Sequence, residues 1–247
     1  MFGSKAYLYS PAFIINISQL KHILFIFVLL ITCQLSVSGQ TNQSWIFISH
    51  TQKISDKLDF LADIQARSDM TVKQVSTLLL RGALAYNLNQ HHSLALGYAY
   101  KGDWEDAEPS DTYMVENRIY QQYQADFAIS RIDFTLRGRF EQRFVQEQKT
   151  KFSMRARAFI SVAVPLIAND DFSKGLYAGI QDEIFLNVYK KNNVNNHFLD
   201  QNRPYVSLGY RFSKTLDTSF DYGLFTDQGP DNAEMINVYR ISVTTSF

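Results

Sequence analysis

The segment 131–144 constrains the fold most, because polar and apolar residues alternate along it. Its odd positions are polar or charged, namely Arg131, Asp133, Thr135, Arg137, Arg139, Glu141 and Arg143. Most of its even positions are apolar, namely Ile132, Phe134, Leu136, Phe140 and Phe144. A period of two predicts an extended strand with one apolar face and one ionic face. Strands in globular domains average about five or six residues, whereas a tilted strand that spans a bilayer needs about 9–11. The run therefore predicts a membrane-spanning β-barrel.

The N-terminal region has the features of an export signal. Lys21 precedes an apolar core at 23–31 that is too short to span a membrane as a helix. Small residues at 37–39 suit a cleavage site. We therefore predict a signal peptide with an N-terminal lead at 1–39 and an outer-membrane β-barrel at 40–247.

Composition narrows the classes of partner and site. The chain has 24 basic and 24 acidic residues, and this balance gives no indication of a nucleic-acid partner. The single cysteine, Cys33, falls in the predicted signal peptide, so the mature chain would form no disulfide and no thiolate metal site. Aromatic residues make up 14% of the chain, as the two interfacial girdles of a membrane barrel require.

The C-terminal segment alternates in the same way. One face carries Tyr239, Ile241, Val243, Thr245 and Phe247. A last strand that ends in an aromatic residue resembles the recognition signal of bacterial outer-membrane barrels. We therefore expect outer-membrane lipid and the barrel-assembly machinery, acting through Phe247, as partners.

The alternation places eleven strands along the chain. They lie near 44–51, 57–68, 73–88, 92–102, 112–126, 130–145, 151–166, 174–190, 203–213, 216–226 and 234–247. Single-chain bacterial barrels have an even number of strands, with both chain ends in the periplasm. The predicted fold is therefore all-β, a transmembrane antiparallel up-and-down β-barrel of 12 strands, with 10 possible if 44–51 is not a full strand. Trp45, interpreted as an interfacial anchor on the first strand, favours the larger number.

The lengths of the connections predict an orientation. Short turns near 89–92, 128–130 and 213–215 are expected in the periplasm, and longer connections near 101–112, 190–202 and 226–233 outside the cell. The acidic stretch 103–111 is expected to be a solvated part of one such loop.

The inward faces of three neighbouring strands carry most of the predicted site. Seven arginines lie on this wall if Arg131 is included, and acids such as Asp59, Asp63, Asp217 and Asp221 recur elsewhere. The predicted luminal ionic network consists of Glu116, Arg118, Asp133, Arg137, Arg139, Glu141, Arg143, Arg155, Arg157, Glu183 and Arg203. One interpretation is a packed ionic core that fills and rigidifies a narrow barrel. The other is a path for a small anionic solute, since free guanidinium groups bind carboxylate or phosphate.

Four segments of the sequence resemble a known family. They are 116–122, 137–144, 182–185 and 200–203, and they resemble segments of domain-of-unknown-function family 2490. The resemblance implies a bacterial, Bacteroidetes-type outer-membrane barrel and carries no known activity or site. Asp182 falls on the lipid-facing parity of its strand, which predicts a bulge or a strand end nearby.

Enzymatic activity finds little support in the sequence. His197, close to Asp200 in a long loop, is the best candidate for the base of a rim hydrolase acting on lipid, but no serine nucleophile motif accompanies it. No spacing indicates a zinc site or a calcium-binding loop. We therefore predict no catalytic residue, no metal and no cofactor. The leading function is a narrow passive channel or a structural barrel, and the alternatives are the rim hydrolase and a surface-binding module that uses the loops near 101–112 and 190–202.

Overall fold

The computed structural model describes residues 41–69, 74–105, 112–146, 149–229 and 232–247. The predicted signal peptide at 1–39, with Cys33, and residues 106–111 of the acidic stretch 103–111 lie outside these residues. Asp103 corrects the expectation of a solvated loop, because it lies within a strand and accepts a hydrogen bond from Thr77 at 2.7 Å. The described residues form β-strands and a single turn of 3-10 helix at Lys191–Asn193. They include no helix that is long and apolar enough to cross a membrane. The prediction of an all-β fold is confirmed.

Twelve strands form one continuous sheet, as many as were predicted, but eleven of them close the barrel where twelve were expected. They are β1 (Thr41–Lys53), β2 (Leu58–Asp69), β3 (Val75–Asn87), β4 (His92–Glu105), β5 (Thr112–Ile129), β6 (Ile132–Gln146), β7 (Lys151–Ala168), β8 (Gly175–Tyr189), β9 (Leu199–Asn202), β10 (Tyr205–Ser213), β11 (Leu216–Gln228) and β12 (Ala233–Ser246). Eleven of them match the segments placed by alternation, and β9 is the strand that alternation misses.

The sheet closes into a barrel of eleven strands. Neighbours in sequence pair antiparallel from β1 to β8 and from β10 to β12, and β8 pairs with β10. The ring is completed by a parallel pair between β1 and β12, in which Trp45 lies opposite Arg240. Since strand direction alternates around an antiparallel sheet, a closed ring with an odd number of strands requires one parallel pair.

Strand β9 continues the line of β10. Ile184 of β8 pairs with Asn202 of β9, and Gln181 pairs with Tyr205 of β10, so the register on β8 is unbroken. The two strands are separated at Pro204, which has no backbone N–H to donate to a neighbour. The twelfth strand is therefore an interrupted segment and does not add a strand to the circumference.

The two rims of the barrel differ in their connections. The short-turn end contains the turns 130–131 and 214–215, and the long-loop end contains the connection 190–198. Thr41 lies at the long-loop end and Ser246 at the short-turn end. This corrects the expectation that both chain ends share one rim, and the parallel pair between β1 and β12 is the physical reason.

The strands present apolar side chains outward and polar side chains inward. In β4 the side chains of Leu94, Leu96 and Tyr98 are exposed on the outer face, as the alternation predicts. In β7 the inward Arg155 and Arg157 are buried.

The interpretation of Trp45 as an interfacial anchor is wrong. Ile46 and Ile48 face outward, so the period of two turns Trp45 into the lumen, where it is buried. Its ring packs edge-on against Phe225 at a centroid distance of 5.1 Å.

Candidate functional site

A fully buried carboxylate in the lumen is shared by two arginines. Glu141, 1% exposed, accepts hydrogen bonds from Arg155 Nε at 2.9 Å and Nη2 at 2.7 Å. Arg157 Nη1 donates to the other oxygen at 2.6 Å. Glu141 lies opposite Arg155 in the register of β6 and β7, so the pairing follows from strand alignment.

Two further carboxylates extend these contacts to β8 and β9. Arg157 Nη2 donates to Glu183 at 2.7 Å, and Arg137 Nη2 donates to the same group at 3.0 Å. Arg155 Nη1 reaches Asp200 on β9 at 2.7 Å. Strands that are not sheet neighbours are therefore joined through the interior by charge-assisted hydrogen bonds.

Glu116 holds the remaining pair of arginines. Arg118 donates to both of its oxygens at 2.8 Å, and Arg143 donates through Nε at 2.5 Å and Nη2 at 3.2 Å. Arg118 and Arg143 lie directly opposite each other on β5 and β6, a placement of like charges that is unfavourable without a shared anion. Arg143 Nη1 lies 3.9 Å from Asp200, which connects this group with the rest of the network.

Asp200 reaches the lumen because of a β-bulge. Leu186 pairs with Leu199 and Phe185 with Gln201, which leaves Asp200 as the extra residue. A bulge re-aims side chains, so Asp200 and Gln201 both point inward. The alternation could not assign Asp200 to the lumen, because the bulge breaks the period of two.

The structure brings most of the predicted network together. Eight of the predicted residues join it with Asp200: Glu116, Arg118, Arg137, Glu141, Arg143, Arg155, Arg157 and Glu183.

Three predicted residues and one wall arginine lie elsewhere. Arg139 donates to Gln122 at 3.0 and 2.6 Å. Asp133 accepts a hydrogen bond from Arg211 of β10, and Arg203 donates to the amide oxygen of Gln201. Arg131 is exposed at the turn between β5 and β6 and donates to backbone carbonyls, so it does not belong to the luminal wall.

The acids expected on a facing wall are held by local partners. Asp63 accepts from Arg81 Nε at 2.6 Å, and Asp221 accepts from Arg240 Nε at 2.8 Å. Asp59 accepts from Asn87 at 2.8 Å. These acids therefore belong to local pairs beside the central network, and they do not form an acidic wall that faces a basic one.

A second ionic group closes the short-turn end. Arg211 of β10 donates to Asp133 of β6 at 3.0 Å and to Asp217 at 3.2 Å. Its guanidinium carbon lies 4.1 Å from the ring centroid of Phe172, which is buried although it belongs to the turn 169–174. Phe172 adopts a positive φ of 49°, an unusual conformation for a bulky residue. That backbone conformation and the stacked Arg211 hold the ring of Phe172 at the short-turn end of the lumen.

The turn that carries Phe172 is itself held by a carboxylate. Ser173 donates to Asp171 through its hydroxyl at 2.6 Å and its backbone N–H at 3.1 Å. Lys214 Nζ lies 3.2 Å from the same carboxylate. The hydrogen bonds from Ser173, helped by Lys214, lower the pKa of Asp171 to about 2.

Aromatic rings occupy the space between the ionic groups. Phe185 is 1% exposed, and the guanidinium groups of Arg155 and Arg157 lie 5.0 and 4.4 Å from its ring centroid. Tyr205 and Phe225 meet at 5.0 Å on the side where β10, β11 and β12 lie. Large buried rings between ion pairs leave these residues almost without contact with solvent, so this part of the lumen is filled by side chains.

The predicted rim base has no acid partner here. Asp200 accepts from Asn187 at 3.1 Å and from Asn195 at 2.7 Å, while the exposed His197 contacts Asn195 through its backbone N–H. Asp200 therefore does not orient the imidazole of His197. Within the described ranges, no cluster of His, Cys, Asp and Glu is suited to hold a metal ion. The absence of catalytic residues, metals and cofactors remains a prediction.

Asp182 faces outward, as its parity predicts. It lies opposite Pro204, where β9 and β10 are separated, and a bulge follows at Phe185 and Leu186. The prediction of a bulge or strand end near Asp182 is confirmed.

These features define a closed β-barrel with an ionic and aromatic interior. The chain belongs to the family described as "Protein of unknown function (DUF2490)", whose model matches residues 42–234, nearly the whole barrel. The predicted family resemblance is therefore confirmed. The chain is also 29% identical over 128 residues to an uncharacterised protein of Methylorubrum extorquens, a match of 51% of this chain and 54% of that relative. The match thus spans about half the length of this curated relative.

Proposed function

We propose that this chain is a bacterial outer-membrane β-barrel whose lumen is closed by packed side chains, a structural barrel rather than an open pore. The observation that carries the proposal is the inverted distribution of polarity. Ion pairs such as Glu141 with Arg155 are buried inside, and large apolar side chains are exposed outside. Spanning strands require every backbone group to be paired, and a closed barrel meets that condition.

The outer face supports insertion into a bilayer. Leu96, Phe220 and Ile64 are about half exposed or more, and similar side chains recur on the outer face of other strands. Soluble monomers rarely expose contiguous apolar patches larger than a few hundred Å². Outer-face Tyr86 and Tyr123 lie toward the short-turn end, and Trp104 toward the long-loop end, as interfacial girdles would.

The packed lumen supports closure. Contacts join strands that are not sheet neighbours at two levels, from Arg155 of β7 to Asp200 of β9 and from Arg211 of β10 to Asp133 of β6. A water-filled pore would leave its wall residues exposed, whereas Glu141 and Phe185 are each 1% exposed. The ionic residues are then the polar core of the barrel, in which buried arginines such as Arg155 and Arg157 are held by carboxylates.

Planar-bilayer recording tests closure. We expect the purified protein to insert without stepwise current. A variant that combines Glu141→Ala, Arg155→Ala and Arg157→Ala should conduct, because it removes three large buried side chains from the lumen. The outer-face variant Ile160→Ala serves as the control and should stay silent. Steady stepwise currents from the unmodified protein would reject closure in favour of a narrow passive channel.

Membrane insertion has a separate test. The protein should sediment with outer membranes on a density gradient and resist extraction by alkaline carbonate. Recovery in the soluble fraction would reject the proposal. Recognition of Phe247 by the assembly machinery and the Bacteroidetes-type origin remain predictions.

A further inference from the structure

Three arginines of the lumen bond to an amide oxygen and to no described carboxylate, namely Arg67, Arg139 and Arg203, and two of them, Arg67 and Arg203, lie over the same aromatic ring. Arg67 donates through Nε and Nη2 to the amide oxygen of Gln65, at 3.2 and 2.8 Å. Arg203 donates to the amide oxygen of Gln201. In the described part of the chain, neither guanidinium lies within ion-pair distance of a carboxylate. Asp103 and Asp227 act on Arg67 and Arg203 electrostatically from beyond ion-pair distance, but these carboxylates are bonded to Lys101 and Gln201. Among the described residues, both arginines therefore lack a carboxylate in direct contact.

The two arginines share one aromatic ring. The guanidinium carbon of Arg67 lies 3.9 Å from the centroid of Trp45, and that of Arg203 lies 5.5 Å from it. Both guanidinium carbons therefore lie within 5.5 Å of one ring centroid, where the two like charges repel each other. Cation–π stacking on Trp45 offsets part of this repulsion but supplies no hydrogen-bond acceptor.

Unused hydrogen-bond donors accompany the two charges. Arg203 Nε and the hydroxyl of Tyr205 are buried and have no hydrogen-bond partner among the described residues. Tyr205 is 5% exposed, and its ring lies 5.0 Å from that of Phe225, on which the guanidinium carbon of Arg203 stacks at 5.1 Å. Arg240, which is paired with Asp221, lies 3.9 Å from the ring centroid of Tyr205. Buried polar groups are nearly always paired, so orphaned donors beside two arginines that lack a carboxylate in direct contact indicate a missing acceptor with negative charge.

We propose that Arg67, Arg203 and Tyr205 form a binding site for a small oxyanion, a carboxylate or a phosphate, beside the ring of Trp45. Planar guanidinium groups bind such oxygens in fork geometry, and the phenolic hydroxyl supplies a neutral donor. Arg67 is half-buried and lies two residues before the end of β2, so the site opens toward the long-loop end. The inference rests on the proposed closed barrel, because in an open pore bulk water would solvate the same groups.

The position of the tryptophans provides a direct readout. The chain has 2 tryptophans, and Trp104 lies on the outer face. The full-length protein with Trp104→Phe therefore reports only Trp45. We expect inorganic phosphate or acetate to change its emission saturably, while chloride at the same ionic strength does not.

Three variants test whether the response belongs to this site. Arg67→Gln and Arg203→Gln should each weaken the apparent affinity about tenfold or more, since each removes a charged hydrogen-bond donor. Tyr205→Phe keeps both charges and should weaken it less, which covers the case in which an arginine variant fails to fold. Arg131→Gln, at an exposed turn, is the matched control and should bind as the parent does.

The outcomes separate the two proposals. A response to phosphate alone identifies a phosphate site, and a response to acetate identifies a carboxylate site. No saturable response, an equal response to chloride, or an unchanged affinity in Arg67→Gln and Arg203→Gln overturns the oxyanion site. The closed barrel survives each of these results if bilayer recordings of the same sample remain silent, and it fails independently if they show steady currents.

Discussion

Arginine suits this interior because its planar guanidinium can bind a carboxylate and stack on an aromatic ring together. Arg157 does both, with hydrogen bonds to Glu141 and Glu183 and with its guanidinium 4.4 Å from the ring of Phe185. A lysine would keep the charge but lose the fork geometry. The side chains of Arg157 and its partners therefore act as one unit, and each carboxylate supports more than one cation.

Replacing a shared carboxylate should be costly for this reason. Glu141→Gln leaves the buried Arg155 and Arg157 with one anion fewer, and breaking such buried pairs destabilises proteins by about 3–5 kcal/mol. We expect a lower urea midpoint for the folded protein in detergent, measured by tryptophan fluorescence. Asp56→Asn, which breaks the exposed pair with Lys53, is the control and should leave the midpoint unchanged. An equal midpoint for Glu141→Gln and the parent would contradict a structural role for the network.

At the scale of the strand, the alternation of polar and apolar residues is what allows structure to be predicted from the sequence. It predicted eleven strands and the inward direction of the charges on β5, β6 and β7, because those pairs depend only on local alternation and on neighbouring strands. The alternation did not predict β9, because the bulge at Asp200 and the break at Pro204 interrupt the period of two.

Contacts between strands that are not sheet neighbours could not be predicted from the alternation. The group around Trp45 combines Arg67 of β2 with Arg203 and Tyr205, which lie near the other end of the chain. Their meeting depends on how β1 and β12 close the ring, and the sequence contains no local signal for a parallel closing pair. The predicted network was therefore accurate where it followed adjacent strands and incomplete where it depended on closure.

The bulge residue also ties the longest described connection to the barrel. Asp200 accepts hydrogen bonds from Asn187 and Asn195, and Asn195 donates to the carbonyl of Gln228. Asp200→Ala removes the carboxylate from this group, so amide hydrogen exchange in 190–198 should accelerate about tenfold. Mass spectrometry of the exchanged protein measures it. Asp227→Ala, which loses a contact to Gln201 only, should leave the exchange in 190–198 unchanged. Unchanged exchange in Asp200→Ala would show that the connection is held by other contacts.

For the whole molecule, the parallel pair between β1 and β12 determines which rim of the proposed membrane barrel carries each chain end. In an antiparallel barrel with an even number of strands, both chain ends lie at the same rim. With eleven strands around the barrel, the two chain ends lie at opposite rims. Thr41 then shares the long-loop end with Asn196, and Ser130 lies at the opposite rim. If the long-loop end faces outward, as the connection lengths predict, Thr41 is accessible from outside the cell.

Cysteine labelling of intact cells tests this topology. Cys33 is the single cysteine, so Cys33→Ser provides a background without thiols. Thr41→Cys and Asn196→Cys should react with a membrane-impermeant maleimide, because both positions are exposed at the long-loop end. Ser130→Cys should react only after the outer membrane is permeabilised, and this late reaction also confirms that the probe does not cross intact membranes. If Thr41→Cys reacted only after permeabilisation, as Ser130→Cys is expected to, while Asn196→Cys reacted on intact cells, both chain ends would lie at one rim. Such a result would exclude the parallel pair, because that pair fixes Thr41 beside the start of β12 and away from Ser246.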